Sequence, residues 1–314
     1  MNQIPLTTEC VGYMRIGLPD KGGRAWSATV DGAGLELLKG LDRKAFDAYV
    51  KSRKEQLASL PHNVEPNRLV TFRPFGDNGT ILLYREDAFQ TEVVEMERYL
   101  WVEDGEGGGR GYFLDSGSHF GKVERELETF SRVFSKFSLR RPGESTTNAF
   151  CVDGASLTDD GIDVAADVTV SIPGQSGWDL YASYAKLAGQ NGVQDTEGLD
   201  ARFSTATGSL ELEQEKYQRQ AEAYPDIRKE PDYPKHFEVL RKGSRELAKV
   251  KGGEAVWKKE LNNGEVLYTF LWMDESLSGQ SAMVEMNTRD KEGTASSEER
   301  MYALWDAVLA SVEF

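Results

Sequence analysis

The stretches Val123–Leu139 (VERELETFSRVFSKFSL) and Glu298–Phe314 (EERMYALWDAVLASVEF) decide the fold. They superpose at a constant offset of 175 positions. Phe130, Val133, Phe134, Phe137 and Leu139 fall on Trp305, Val308, Leu309, Val312 and Phe314, and Glu124-Arg125 on Glu299-Arg300. Apolar residues at three- and four-residue spacing draw one helical face in each copy, and each helix runs into a short terminal strand. Aromatic-rich strands, Tyr99–Trp101 and Tyr268–Trp272, precede each helix. The pattern predicts an α+β chain of two domains, each a largely antiparallel sheet packed with helices, related by a pseudo-duplication. The bland alternative is chance, because amphipathic helices of this kind are common.

The rest of the chain fits that frame. Cys10–Leu18 and Ala25–Val30 read as strands. Leu41–Leu60 reads as a helix, with Asp42 as its N-cap and Pro61 as its stop. Arg68–Phe72 and Thr80–Tyr84 flank a Gly-Asp-Asn-Gly turn, and Ala255–Lys259 and Val266–Met273 flank an Asn-Asn-Gly turn; both signal hairpins. Further strands are expected at Glu92–Trp101, Ala149–Val152, Val164–Ile172, Trp178–Tyr184 and Ala282–Thr288, a helix at Leu210–Ala223, and a last helix at Ser297–Ser311. Glu103–Gly111 (EDGEGGGRG) reads as a flexible acidic loop. Pattern breaks at residues 140–147 place a boundary there, giving domains 1–145 and 146–314.

Composition narrows the function classes. Lys and Arg number 37 against 52 Asp and Glu, a net charge of −15. Such a chain repels phosphate backbones and anionic lipid, so nucleic acid is not an expected partner. Solubility alone explains the excess acid, and steering of a basic protein partner is the functional alternative. No run reaches the roughly 18 apolar residues of a membrane span. Met1–Thr8 lacks the features of a signal peptide, so the chain reads as cytoplasmic or as a mature domain without its leader. Cys10 and Cys151 are too few for a zinc site. They pair in an oxidising compartment or sit as two small buried hydrophobes.

Catalytic chemistry is not expected. None of His62, His119 and His236 has the i, i+4 partner of a zinc helix, and no GxSxG elbow occurs. Ser118-His119 is not a triad, since triad members converge from distant segments. The glycines at 105–111 lack the Gly-Lys-Ser/Thr end of a phosphate loop. Asp159, Asp160 and Asp163 lack the glycine and terminal glutamate of a calcium loop. No cofactor or metal is therefore expected. Trp101, Trp257, Trp272 and Trp305 read as core, while Trp26 and Trp178, nearer loops, are also interface candidates.

The second half carries a more specific pattern: Phe150-Cys151-Val152-Asp153-Gly154-Ala155, Ile172-Pro173-Gly174, Asp179-Leu180, Leu240–Arg245, Val250–Ala255, Phe270-Leu271-Trp272 and Leu304–Val312. In that order it resembles the C-terminal domain of the Tli4-type immunity proteins, which neutralise type VI secretion lipase effectors. Glu9–Arg15 with Leu18-Pro19 is similar to the start of the family's N-terminal domain. The resemblance implies a non-enzymatic, periplasmic immunity protein. It would bind a cognate phospholipase effector and lock its lid and active-site entrance, and it would be a monomer until then. Exposure and charge place the expected contacts at Glu103, Asp104, Glu106 and Arg110 in one domain and at Asp274 and Glu275 in the other. The competing readings are a periplasmic lipid or small-ligand carrier, an unpaired-acid hydrolase, and an immunity protein against another toxin class.

Overall fold

The computed structural model describes residues 4–119, 122–140, 149–158, 161–188, 205–275, 279–290 and 295–314. Strands β1 (Leu6–Val11), β2 (Met14–Pro19), β3 (Arg24–Val30) and β4 (Ala33–Leu38) lead into helix α1 (Arg43–Ser59). Then come β5 (Leu69–Phe75), β6 (Gly79–Tyr84), β7 (Val93–Glu103) and β8 (Gly109–His119), helix α2 (Val123–Phe134) and β9 (Ser138–Leu139). The order restarts with β10 (Phe150–Val152), β11 (Ala155–Leu157), β12 (Val164–Ser171), β13 (Trp178–Lys186) and helix α3 (Ala206–Ala223). It closes with β14 (Pro234–Leu247), β15 (Val250–Leu261), β16 (Val266–Asp274), β17 (Gln280–Asp290) and helix α4 (Ala295–Ala310).

The duplication is explicit in this order. Each half runs hairpin, strand pair, helix, four strands, helix, and then a closing β contact: strand β9 in the first half, a single bridge at Glu313 in the second. The sheet orders also correspond: β3-β4-β8-β7-β6-β5 in the first half and β12-β13-β17-β16-β15-β14 in the second. Neighbours run antiparallel wherever their register is defined. The chain is α+β, as its periodicity predicts.

The compact units, however, are not the two halves. One comprises residues 1–26 with 166–314, and the other residues 27–165. The difference from a single cut near residue 145 has a definite cause, which is an exchange of hairpins. β9, ending the first half, pairs with β11, which opens the second (Ala155 opposite Leu139, Ser156 opposite Ser138). Glu313, ending the second half, pairs with Arg15 on β2, in the hairpin that opens the first. The 175-position offset carries Ser138 onto Glu313, so the two closures are the same contact made twice. The expected break at 140–147 lies almost wholly outside the described residues.

The exchanged hairpins share a register. Cys10 faces Arg15 and Val11 faces Met14 across Gly12-Tyr13. Cys151 faces Ser156 and Val152 faces Ala155 across Asp153-Gly154. The sequence suggested one strand over Cys10–Leu18. Gly12, at φ +61, turns it into a hairpin instead, and a Cβ there would lie 2.5 Å from the Tyr184 side chain. Both cysteines are disulfide-bonded.

In each unit the helices cover both faces of the sheet, because a strand alternates its side chains between faces. Leu82 of β6 packs with Phe46, Val50 and Leu57 of α1, while its neighbours Ile81 and Leu83 pack with Val123 and Leu127 of α2. In the other unit Leu271 of β16 packs with Ala206 and Leu210 of α3, and Phe270 meets Trp305 of α4. Trp101, Trp257, Trp272 and Trp305 are all buried, and so is Trp178, which removes it as an interface candidate; Trp26 is half-buried. Asp42 caps α1, its side chain accepting from the Ala45 N–H at 2.8 Å.

The two-residue turn joining β14 to β15 has Ala248 at φ +45 and Lys249 at φ +73. Such turns favour Asn or Gly, since a Cβ is strained in the left-handed region. Lys249→Gly should therefore raise stability by about 0.5–1 kcal/mol in urea unfolding. No gain would mean that the exposed turn relaxes at no cost.

Candidate partner-binding surface

The expected contact residues fall into two groups on corresponding hairpins of the two halves, β7–β8 and β16–β17. Glu103 ends β7, exposed, and accepts from the Asn78 amide at 3.3 Å. Asp104 builds the turn: its Oδ1 accepts from the backbone N–H groups of Glu106 (2.8 Å) and Gly108 (2.9 Å). The Asp104 N–H also donates to the Gly108 carbonyl at 3.1 Å. The segment is thus a hydrogen-bonded acidic turn rather than the flexible loop expected, and Gly109–Gly111 belong to strand β8. The Asp104 carboxylate thus orders the backbone of the turn that carries Glu103 and Glu106.

Arg110 is not part of this tip. It is half-buried, and its Nη1 lies so close to Gly154 that any Cβ there would overlap it. Tyr112 beside it donates to the Asp153 carbonyl at 2.9 Å. Arg110 therefore packs on the β10–β11 turn. In the other group, Asp274 ends β16 opposite Gly252. Glu275 is exposed, and its N–H donates to the Lys251 carbonyl at 3.1 Å.

Exposed apolar residues, which the sequence did not single out, form a second feature. Phe89 is 78% exposed and Val64 is 73% exposed. They lie on the segments joining β6 to β7 and α1 to β5. These segments are bonded to each other: the Asn63 N–H donates to the Ala88 carbonyl at 2.9 Å, and His62 Nε2 meets the Gln90 carbonyl at 2.9 Å. Asp87 accepts from the Phe89 and Gln90 N–H groups at 2.7 and 2.8 Å. The other ring nitrogen of His62 accepts from Val64 and Glu65 N–H groups. His62 is thus a loop organiser. An aromatic residue held by a hydrogen-bonded frame pays little ordering entropy on binding, which suits a hot spot.

The buried ionic groups hold structure together. Glu97 of β7 takes Arg53 of α1 at 2.6 Å and the Tyr99 hydroxyl at 2.7 Å. Burial, reinforced by Glu97, raises the phenol pKa of Tyr99, and burial pushes that of Tyr84 to about 12. Glu254 of β15 accepts from Trp305 Nε1 at 2.6 Å, Arg245 at 3.0 Å and Arg241 at 3.1 Å. Each glutamate pins a helix to a sheet. Among the described residues no three His, Cys, Asp or Glu side chains gather as metal ligands.

Residues 146–314 match the family described as Tle cognate immunity protein 4, C-terminal domain. The chain belongs to the Tli4 immunity-protein family. Solved structures extend the likeness in fold along the whole chain. A chain in the crystal structure of a Tle4–Tli4 complex superposes with a TM-score of 0.76 at 17% identity, covering 100% of this chain and 98% of that one. The apo immunity protein TplEi of the type VI secretion system of Pseudomonas aeruginosa gives 0.74 at 17% identity, with 98% and 96% covered. TplEi complexed with an "L" peptide gives 0.69 at 17% identity, with 99% of each chain covered. No curated protein matches the sequence.

Proposed function

We propose that this protein is the cognate immunity partner of a type VI secretion lipase effector, acting by occupancy and not by catalysis. The observation that carries the reading is family membership over residues 146–314, joined to a fold shared from end to end with a chain of the solved Tle4–Tli4 complex. A lipase opens mobile lid elements at a lipid surface, and a partner that prefers the closed lid shifts the population toward it. Protection at low effector levels calls for nanomolar binding, about −12 kcal/mol. That needs an interface of standard size or more, about 1,600 Å². The disulfide-bonded state of both cysteines supports an oxidising, periplasmic setting.

Within this reading the Phe89–Val64 tip supplies an apolar anchor, and the acidic turns at Glu103, Asp104 and Glu106 and at Asp274 and Glu275 steer association. Titrating the protein into its candidate lipase at nanomolar enzyme should give a stoichiometric loss of hydrolysis and a stable 1:1 complex; full activity at a large excess of the protein would end the proposal. Phe89→Ala should leave the unfolding midpoint unchanged, because the ring is exposed, and should raise Kd by at least about tenfold. Reversing Glu103 and Glu106 to Lys, leaving the turn-building Asp104 in place, should slow association at low salt and change dissociation little. An unaltered association rate would take that turn out of the encounter.

A further inference from the structure

A cleft of about 260 Å³ opens between the β3–β4 turn, strands β7 and β8, and helix α2. Val30, Asp31, Gly32, Arg98, Ser116 and Phe130 are among its lining residues. Asp31, at φ +51, and Gly32, at φ +76, form its lip, fixed by the Asp31 N–H donating to the Asp163 carbonyl at 2.7 Å.

Arg98 is the unusual member. It is only 4% exposed, yet it makes no ion pair with any carboxylate among the described residues. Its Nη2 donates to the Ser116 hydroxyl at 2.7 Å and approaches the Met96 sulfur at 3.8 Å. Its Nε is buried without a partner. The guanidinium lies over the Phe130 ring, 4.8 Å from the centroid. A guanidinium carries five N–H donors in a planar fork that matches a carboxylate. One hydroxyl and a thioether do not satisfy it, and an unsatisfied buried cation is expensive to keep. Burial lowers its pKa, against the opposing field of Glu126, Asp31 and Asp115.

We propose that this cleft is a carboxylate-binding site anchored by Arg98, and that its ligand is an Asp or Glu side chain of the bound effector. The assignment to an effector residue rests on the proposed function; the carboxylate chemistry does not. The acidic surroundings select the class, because Asp31 and Glu126 repel a phosphate dianion more than a monoanion. The volume selects the source. It falls below the roughly 300–1,000 Å³ of small-molecule pockets and suits one inserted side chain. The Ser116 hydroxyl and the Phe130 ring hold the guanidinium plane that would receive a carboxylate.

The test begins with the free protein. Nitrogen-15 spectra of the arginine side chains are followed while acetate, and separately inorganic phosphate, is added. Acetate should move the Arg98 Nε–H resonance saturably with a Kd of about 10 mM, and phosphate should move it less. No movement with acetate overturns the site, and stronger binding of phosphate overturns the carboxylate class. Both readings use the unaltered protein, so they stand even where Arg98→Gln fails to fold. Arg98→Gln, and separately Arg98→Lys, are then measured against the lipase. A rise in Kd of at least about tenfold for Gln, only partly recovered by Lys, supports insertion of an effector carboxylate. Acetate binding with lipase affinity unchanged in both variants overturns the effector as the source. A wild-type protein that binds acetate but no lipase refutes the proposed function and leaves the site standing.

Discussion

The structure depends on one repeated contact, in which the segment ending each half closes onto the hairpin opening the other. At one end the backbones of Glu313 and Arg15 exchange two hydrogen bonds of 2.8 Å, and their side chains form an ion pair of the same length. At the other, the Arg140 N–H donates to the Gly154 carbonyl at 3.0 Å beside the β9–β11 ladder. These bonds are worth about 1 kcal/mol each. What they fix is larger, because they seat hairpins whose apolar side chains are among the best buried in the chain: Val11, Met14, Ile16 and Leu18 at one, Phe150, Cys151 and Val152 at the other. An isolated hairpin is marginal in water. Each becomes stable only against the unit that receives it.

Much of this was legible in the chain, and the reasons are specific. The helix faces and their offset are periodic, and the offset extends from buried residues to the terminal strand pairing. The hairpins at residues 69–84 and 250–274 announce themselves by turn chemistry. Strand β14 was not legible, because its residues (PKHFEVLRKGSREL) are largely polar, as suits a strand at the end of its sheet with one open edge. The first turn of α3 was hidden by its polar, Gly-bearing sequence, although Thr205 caps it by accepting from the Gly208 N–H at 3.0 Å. The exchange of hairpins was invisible in principle, since pairing between residues so far apart leaves no local signature.

The candidate surface was legible only in its charge. Glu103, Glu106 and Glu275 are exposed as an acid-rich turn implies. Arg110 follows its neighbours in sequence but not in role, since strand alternation turns it onto Gly154. Phe89 escaped notice because a single aromatic in a polar run is ordinarily core. Its exposure follows from Asp87, His62 and Gln90 holding the loops that carry it. Arg98 escaped for the opposite reason: within β7 it is one more charged residue between Glu97 and Tyr99, and only burial marks it. Glu97 and Glu254 are matched and hold helices to sheets, while Arg98 keeps a donor in reserve.

The hairpin exchange also sets the order in which the chain can fold. Residues 27–165 can make the contacts of their own unit without the rest of the chain. The leading hairpin cannot, because Glu313 lies 298 positions downstream of Arg15. Closing a loop of that length costs about 5 kcal/mol of chain entropy by the logarithmic rule, and contacts so distant in sequence slow folding. The leading hairpin therefore acquires its partner only when the segment following α4 reaches it.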